Sequence, residues 1–395
     1  MKTNHTTPDR IPNLASLLFV AMMGASILTL LPLWVGALTE RGGFTGQQVG
    51  WLAAADVIGI FASSASAIFW VRKLPWRPVV LLGLAVYLLA NLASLDSDHF
   101  ATLMAVRIVA GLGCGSAYAI ALAGLGDHRN PQLAFGLMVT GQVVFGTIGF
   151  FAVPRLATEA DINGFLHYLN GWLAVTILLC ALFFPRSQKC ASSAEQSVFA
   201  TLLSGRALVV FTTTVVYYCG VSAVWGYLER IGVSLGLSSA AVGDLLGIGF
   251  AISGLGSLAT PWLSKYLGRI ITLVIAMVLQ MITMAVLMGQ HTFDAYALYA
   301  STSIVFQFFW SFSLPLLMDQ FNRVDDTGRF IVLCASAFKV GEIVGPPLAA
   351  ALISEGDYSA VLWLGIGCMA ATMVMALITE RRKNDTSAPG VVAAA

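Results

Sequence analysis

Charge is what this 395-residue chain lacks: Asp, Glu, Lys and Arg make up only 10% of it, where a soluble globular protein carries roughly 25%. With 58% hydrophobic residues and a mean hydropathy of +0.83, too little polar material remains to cover a water-soluble surface. Lipid is the solvent that this composition suits. The net charge of +1 offers nothing to nucleic acid or to any strongly charged partner. Six cysteines are present, but none sits in a C-x-x-C or related spacing, which excludes a metal site or a disulfide framework of the usual patterns. His99, His167 and His291 show no ligand spacing either. No nucleophile–base constellation, metal cluster or phosphate loop is visible, so the chain does not read as a membrane enzyme and needs no cofactor. No loop is long enough for the soluble signalling domain of a receptor. A channel would not need two rocking halves, and absence of saturable counterflow would point to one.

What fills the chain is a series of apolar runs. A bilayer core about 30 Å thick needs ~20 apolar helical residues. Charge-poor stretches of that length recur at 11–39, 44–71, 78–95, 100–126, 132–154, 163–185, 207–228, 239–264, 270–293, 295–318, 330–354 and 358–379. The first is too long for a signal-peptide core and is expected to stay as a helix. The expected fold is therefore all-α, with twelve transmembrane helices. Lys and Arg set the orientation. With the N-terminus inside, sixteen of the twenty-one fall on the cytoplasmic side, three outside (Arg41, Arg155, Arg230) and two within the membrane (Arg107, Lys339). Both termini are expected in the cytoplasm.

The longest polar connection follows the sixth run and divides the chain into residues 1–184, a linker 185–205, and residues 206–395 with a short cytoplasmic tail. An offset of 193 aligns Val49-Gly50 with Val242-Gly243, Leu52 with Leu245 and Leu74 with Leu267. Two parallel six-helix repeats are the architecture of one large transporter class.

Three local features carry a family resemblance. Arg107-Ile-Val-Ala-Gly111-Leu-Gly113-Cys-Gly115 looks like an R-x-x-x-G-x-G-x-G/A motif in the fourth span. Lys265-Tyr-Leu-Gly-Arg269 looks like a D-R-x-G-R loop, and Gly341-Glu-Ile-Val-Gly345-Pro346-Pro347 like a G-x-x-x-G-P motif. In these the chain resembles the major facilitator superfamily over nearly its full length, and in size and loop pattern its bacterial proton-coupled efflux members. The resemblance implies two pseudo-symmetric six-helix bundles in a cell membrane, a bacterial inner membrane in that reading. It also implies alternating access, a proton gradient as the energy source, a small-molecule substrate and a monomer. Departures are clear. Arg72 and Lys265 stand where the loop motif has Asp, so Asp127 and Asp319 are candidates to latch Arg77 and Arg269. The antiporter-associated G-P motif is absent from the fifth span and occurs in the eleventh.

Charges at the bilayer centre cost ~2.5–3.5 kcal/mol on insertion scales and must face protein or water. Asp56, Gly59, Ser63 and Ser66 form one stripe, Ser336, Lys339 and Glu342 another, and Arg107, Gly111, Cys114 and Tyr118 a third. All three are expected to line the central cavity. Arg107 is read as a substrate or carboxylate partner, against the alternative of a fixed packing charge. Asp56 and Lys339 both fall near mid-depth and are expected to pair across the halves. Lys339 and Glu342 form an alternative pair within one helix. Asp56 and Glu342 are the candidate proton-coupling acids, Asp56 preferred. Substrate contacts are expected from Arg107, Lys339, Tyr218, Gln307 and Trp310. Asp244 is read as interfacial. The solute is expected to be anionic, zwitterionic or amphipathic, exported by proton antiport. Import of an organic anion by symport is the alternative.

Overall fold

The computed structural model describes residues 10–156, 162–185, 205–289, 294–322, 332–354 and 356–387. Residues 186–204 of the expected linker lie outside them. Thirteen helices make up the described residues: α1 (Ile11–Thr29), α2 (Leu31–Arg41), α3 (Gly46–Trp70), α4 (Trp76–Leu95), α5 (Phe100–Gly126), α6 (Pro131–Leu156), α7 (Ile162–Phe183), α8 (Gly205–Ser234), α9 (Ser239–Leu267), α10 (Arg269–Leu287), α11 (Ala295–Asn322), α12 (Val332–Leu352) and α13 (Ser359–Ser387). Eleven of them are long and apolar enough to cross a membrane. The other two are α2, an 11-residue continuation of α1, and α12, which carries Lys339 and Glu342.

The expected first span is broken at Leu30. Pro32 follows two residues later and has no N–H to offer the Leu28 carbonyl, so the helix cannot run through unperturbed. Trp225 of α8 donates its indole N–H to that carbonyl at 3.0 Å.

Helices α1–α7 pack on one another, and so do α8–α13; the main contacts between the groups are α3 on α12, α6 on α9 and α2 on α8. The two groups repeat each other's contacts. Helix α3 lies on α5 as α9 lies on α11, and α4 on α7 as α10 on α13. The offset of 193 is visible in backbone detail. Gly43 (φ 78°) precedes Thr45, whose hydroxyl caps α3 through the Gln48 N–H; Gly236 (φ 87°) precedes Ser238, whose hydroxyl caps α9 through the Ala241 N–H. Both turns need a residue at positive φ, which glycine supplies without a Cβ clash.

The first and last described residues, Arg10 and Ser387, lie at one end, called here the terminal end. The opposite end, where α2 turns into α3 and α8 into α9, is the far end.

Candidate functional site

Helices α3 and α5 run in the same direction and touch backbone to backbone. A Cβ built on Gly111 would stand 2.1 Å from the Asp56 carbonyl oxygen, and one on Gly59 2.2 Å from that of Ile108. Such closeness brings Asp56 within reach of Arg107, four residues before Gly111. The guanidinium grips the carboxylate with two bonds, Nε to Oδ2 at 2.9 Å and Nη2 to Oδ1 at 2.5 Å. Its Nη1 donates to Asn91 Oδ1 at 2.7 Å, and Asn91 donates on to Asn170 Oδ1 at 2.9 Å. The Trp34 ring lies 5.1 Å beneath the guanidinium, a cation–π contact. Asp56 and Arg107 are both fully buried.

These contacts correct two expectations. The stripes on α3 and α5 face each other inside the first group of helices, where glycines permit it, and Arg107 does not line an open cavity. Nor do Asp56 and Lys339 pair across the halves. Asp56 is held by Arg107, and Lys339 bonds Glu342 on its own helix at 2.8 Å. The Lys339–Glu342 pair is partly exposed, at 18% and 15%.

The predicted aromatic contacts divide. Trp310 stacks on Trp225 (ring centroids 6.3 Å, 13° between planes) and on Phe250 (6.4 Å, 24°). Phe150 of the first group closes this cluster against Trp225 at 5.8 Å and Phe250 at 5.9 Å. Trp310 Nε1 is a buried donor without a partner, and Gln307 Oε1, one turn earlier, a buried acceptor without one. Tyr218 sits elsewhere, stacked 4.3 Å from Phe338 between α8 and α12.

At the terminal end, Asp127 pairs with Arg72, at 2.6 and 3.1 Å, instead of with Arg77. Arg72 lies in the turn just after α3, beside the end of the parallel helix α5, and over the Trp76 ring at 5.4 Å. Arg77 belongs to the first turn of α4. The expected Arg269–Asp319 pair forms at 2.8 Å. Both of these pairs stay within one group of helices.

The far end differs. Arg230 of α8 bonds Glu229 at 2.5 and 2.8 Å and reaches across to Glu40 of α2. Arg155 of α6 forks onto Asp244 of α9, both bonds 2.7 Å. Two mirrored seams lie beside them. A Cβ on Gly50 of α3 would stand 2.5 Å from the Ala350 Cβ and 2.8 Å from the Pro346 carbonyl oxygen of α12. A Cβ on Gly243 of α9 would stand 2.5 Å from the Phe150 carbonyl oxygen and 2.8 Å from Pro154 Cγ of α6. Gly50 and Gly243 are 193 apart, as are Pro154 and Pro347. The reading of the sequence missed Glu40 and Glu229 because it ended the first span at residue 39 and the seventh at residue 228, whereas α2 continues to Arg41 and α8 to Ser234. Among the described residues no group of three or more His, Cys, Asp or Glu is placed to hold a metal ion.

Two bundles of helices built on one repeat and joined along paired seams define a transporter fold. Each half matches a family model: "Sugar (and other) transporter" over residues 25–189 and "Major Facilitator Superfamily" over residues 210–393. No curated protein sequence matches the chain. Among solved structures, a point mutant of the nucleoside transporter NupG superposes with a TM-score of 0.77 at 11% identity, covering 93% of this chain and 99% of that one. A second NupG structure gives 0.74 at 12%, with 93% and 98% covered. The chain matches the major facilitator superfamily in its second half and a transporter family in its first. It is a multi-pass membrane transporter of some solute and not an enzyme.

Proposed function

We propose that this protein is a proton-coupled secondary transporter that moves a small amphipathic organic solute by alternating access, with its far end closed in the present conformation. One observation carries the reading. Of the ion pairs whose partners are both described, those that join the two halves (Glu40–Arg230 and Arg155–Asp244) lie together at the far end, beside the two glycine–proline seams. The two pairs described at the terminal end, Arg72–Asp127 and Arg269–Asp319, each stay within a half. Halves that separate at the far end and close at the other would carry a central site from one face to the other.

In this reading the halves are residues 1–184 and 206–395 joined by the linker 185–205, and α12, packed along α3 and α8, is the eleventh of twelve crossings. The Lys and Arg count places the terminal end in the cytoplasm, of a bacterial inner membrane in this reading. The chain works as a monomer.

Pairing inside the protein revises the solute. Arg107 is neutralised by Asp56 and Lys339 by Glu342, so neither is a free cation that calls for an anion. What remains is the aromatic cluster of Phe150, Trp225, Phe250 and Trp310, which sits where the halves meet. A solute with a planar apolar face and polar groups suits it, and the unpartnered Trp310 Nε1 and Gln307 Oε1 suit an acceptor and a donor on that solute. A nucleoside, the solute named for the structurally similar NupG, has this character. Glu342 rather than Asp56 is the more accessible coupling acid of the two predicted ones, being partly exposed and held by a single bond from Lys339. Proton antiport, hence export, is the direction taken in this reading, because the compact chain and its short connections resemble efflux members of the superfamily.

A second reading, import of an organic anion by proton symport, rests on Lys339, which an incoming carboxylate can take over from Glu342. Internal pH in proteoliposomes with a trapped dye separates the two. Added solute that alkalinises the lumen supports exchange, one that acidifies it supports symport, and no pH change with any solute that is transported overturns proton coupling.

A further inference from the structure

The first helix breaks where the two halves meet. Pro32 carries no N–H, so the helical bond that would close on the Leu28 carbonyl is missing. A donor from the other half reaches this carbonyl instead: Trp225 Nε1 of α8, at 3.0 Å. The same indole stacks on Trp310 and Phe250 and meets Phe150 edge-on. A Cβ on Gly146 of α6 would stand 2.6 Å from Thr29 Cγ2 and 2.7 Å from Phe250 Cε1. The break in the helix and the aromatic cluster therefore occupy one place.

Burial marks this place out. From Tyr217 to Gly232 every residue is buried except Trp225, and from Val20 to Leu38 every residue is buried except Ala25 and Leu28. Helices of both halves surround the indole, α1 and α6 from the first and α9 and α11 from the second, so what stays open beside it is the space between them. The bond lies at the edge of that space. When the halves part, Trp225 leaves with α8 and the Leu28 carbonyl stays with α1. A carbonyl in apolar surroundings that has lost its helical donor then needs another one. A solute whose flat face rests on Trp310 can bring it as an N–H or O–H.

We propose that the Leu28 carbonyl is a hydrogen-bond acceptor of the solute site, and that Trp225 fills it until a solute's own N–H or O–H takes its place. The inference deepens the reading of a planar amphipathic solute and rests on it. It adds a requirement that the aromatic cluster does not impose, namely a donor at the edge of the solute's flat ring. The exchange trades one hydrogen bond for another and needs no charge on either partner. Pro32 is the positioning residue, because it keeps the acceptor out of the helical ladder.

The test uses the full-length protein in lipid. The probes are indole, whose ring and N–H reproduce the Trp225 side chain, and 1-methylindole, which lacks the donor. Binding is measured by equilibrium dialysis against protein-free vesicles of the same lipid, which removes partition into the bilayer. Trp225→Phe keeps an aromatic ring and vacates the carbonyl. Indole should bind this variant about two- to tenfold more tightly than the wild type, the worth of one hydrogen bond, with 1-methylindole unchanged. Pro32→Ala in the same background returns an N–H to Leu28 and should cancel the gain. Trp225→Leu gives the same comparison if the phenylalanine variant does not fold. A gain for both probes alike, no gain for indole, or a gain that survives Pro32→Ala overturns the proposal. Spin labels on Gln47→Cys and Ala240→Cys, equivalent positions at the far-end starts of α3 and α9, give an independent readout. Losing a bond that joins the halves should lower the closed-to-open ratio about two- to tenfold in Trp225→Phe. A far end that opens with an unchanged ratio overturns the proposal as well. One that never opens sinks alternating access and leaves the two-probe comparison to decide this inference.

Discussion

The two ends of the molecule use the same chemistry for opposite purposes. At the terminal end, Arg72–Asp127 and Arg269–Asp319 each tie two helices of one half. At the far end, Arg230 and Arg155 each reach an acid of the other half. Pairs within a half travel with it and cost nothing to keep when the halves move. Pairs across the seam must break. Charge placement alone thus tells which contacts brace a rigid bundle and which hold one conformation of the pair of bundles.

That contrast can be broken in graded steps. The largest effect is expected from Arg230→Met. Removing the cation leaves Glu229 buried beside Glu40 with nothing to balance either, and breaking a buried pair this way costs about 3–5 kcal/mol. The closed-to-open ratio at the far end should fall on the order of a hundred- to a thousandfold, read from the Gln47–Ala240 label distances. Gly50→Val and Gly243→Val come next. Each puts a side chain where backbone already stands, an overpacking cost of about 1–3 kcal/mol that falls on the closed form alone. Each should shift the same ratio roughly five- to a hundredfold, and near-equal shifts would sharpen the mirror relation between the seams. Arg155→Gln should do less. Its pair with Asp244 is 51% and 33% exposed, and such pairs contribute about 1 kcal/mol at most. The expected change is up to about fivefold and shrinks as salt is raised. The smallest effect belongs to Arg72→Gln, which should leave the far-end distances as they are. A large far-end shift from it would show that the terminal-end pairs are not confined to their halves.

A separate contrast lies between the halves. The first keeps a buried ion pair, Asp56–Arg107, where α3 meets α5. At the corresponding crossing of α9 and α11 the second half has Gly249 against the neutral side chain of Gln307. Asp56→Asn would leave Arg107 without its counter-charge beneath helices that cannot open to water. It should lower thermal stability more than any far-end variant, whatever it does to proton coupling.

Much of this was legible in the sequence, and the misses have physical causes. The apolar runs and the offset of 193 marked the all-helical, repeated architecture, because span length and charge exclusion are imposed by the bilayer itself. The partner of Asp56 was misread because the pairing rested on mid-depth placement and on the adjacency of spans two and eleven that the family resemblance implies. Lys339 and Arg107 both fall near mid-depth, and only the glycines decide between them. Gly59, Gly111 and Gly115 were visible as a signal that α3 and α5 approach within backbone contact. Arg77 was favoured over Arg72 for Asp127 by analogy with a loop motif, whereas the parallel course of α3 and α5 brings their ends together. The far-end triad was hidden by a boundary. Ending spans at residues 39 and 228 left Glu40 and Glu229 outside the helices, and Arg230 was counted for orientation alone. Orphan atoms such as Gln307 Oε1 and Trp310 Nε1 are properties of packing, which no residue pattern reports.

The most direct test of the account pairs the two ends in one experiment. Spin labels on Gln47→Cys and Ala240→Cys report the far end, and labels on Lys73→Cys and Lys265→Cys report the terminal end, in full-length protein in lipid with a transported solute added. Alternating access predicts reciprocal change, the far-end distance lengthening as the terminal-end distance shortens. Distances that move together at both ends, or a far end that stays closed while transport proceeds, would contradict it.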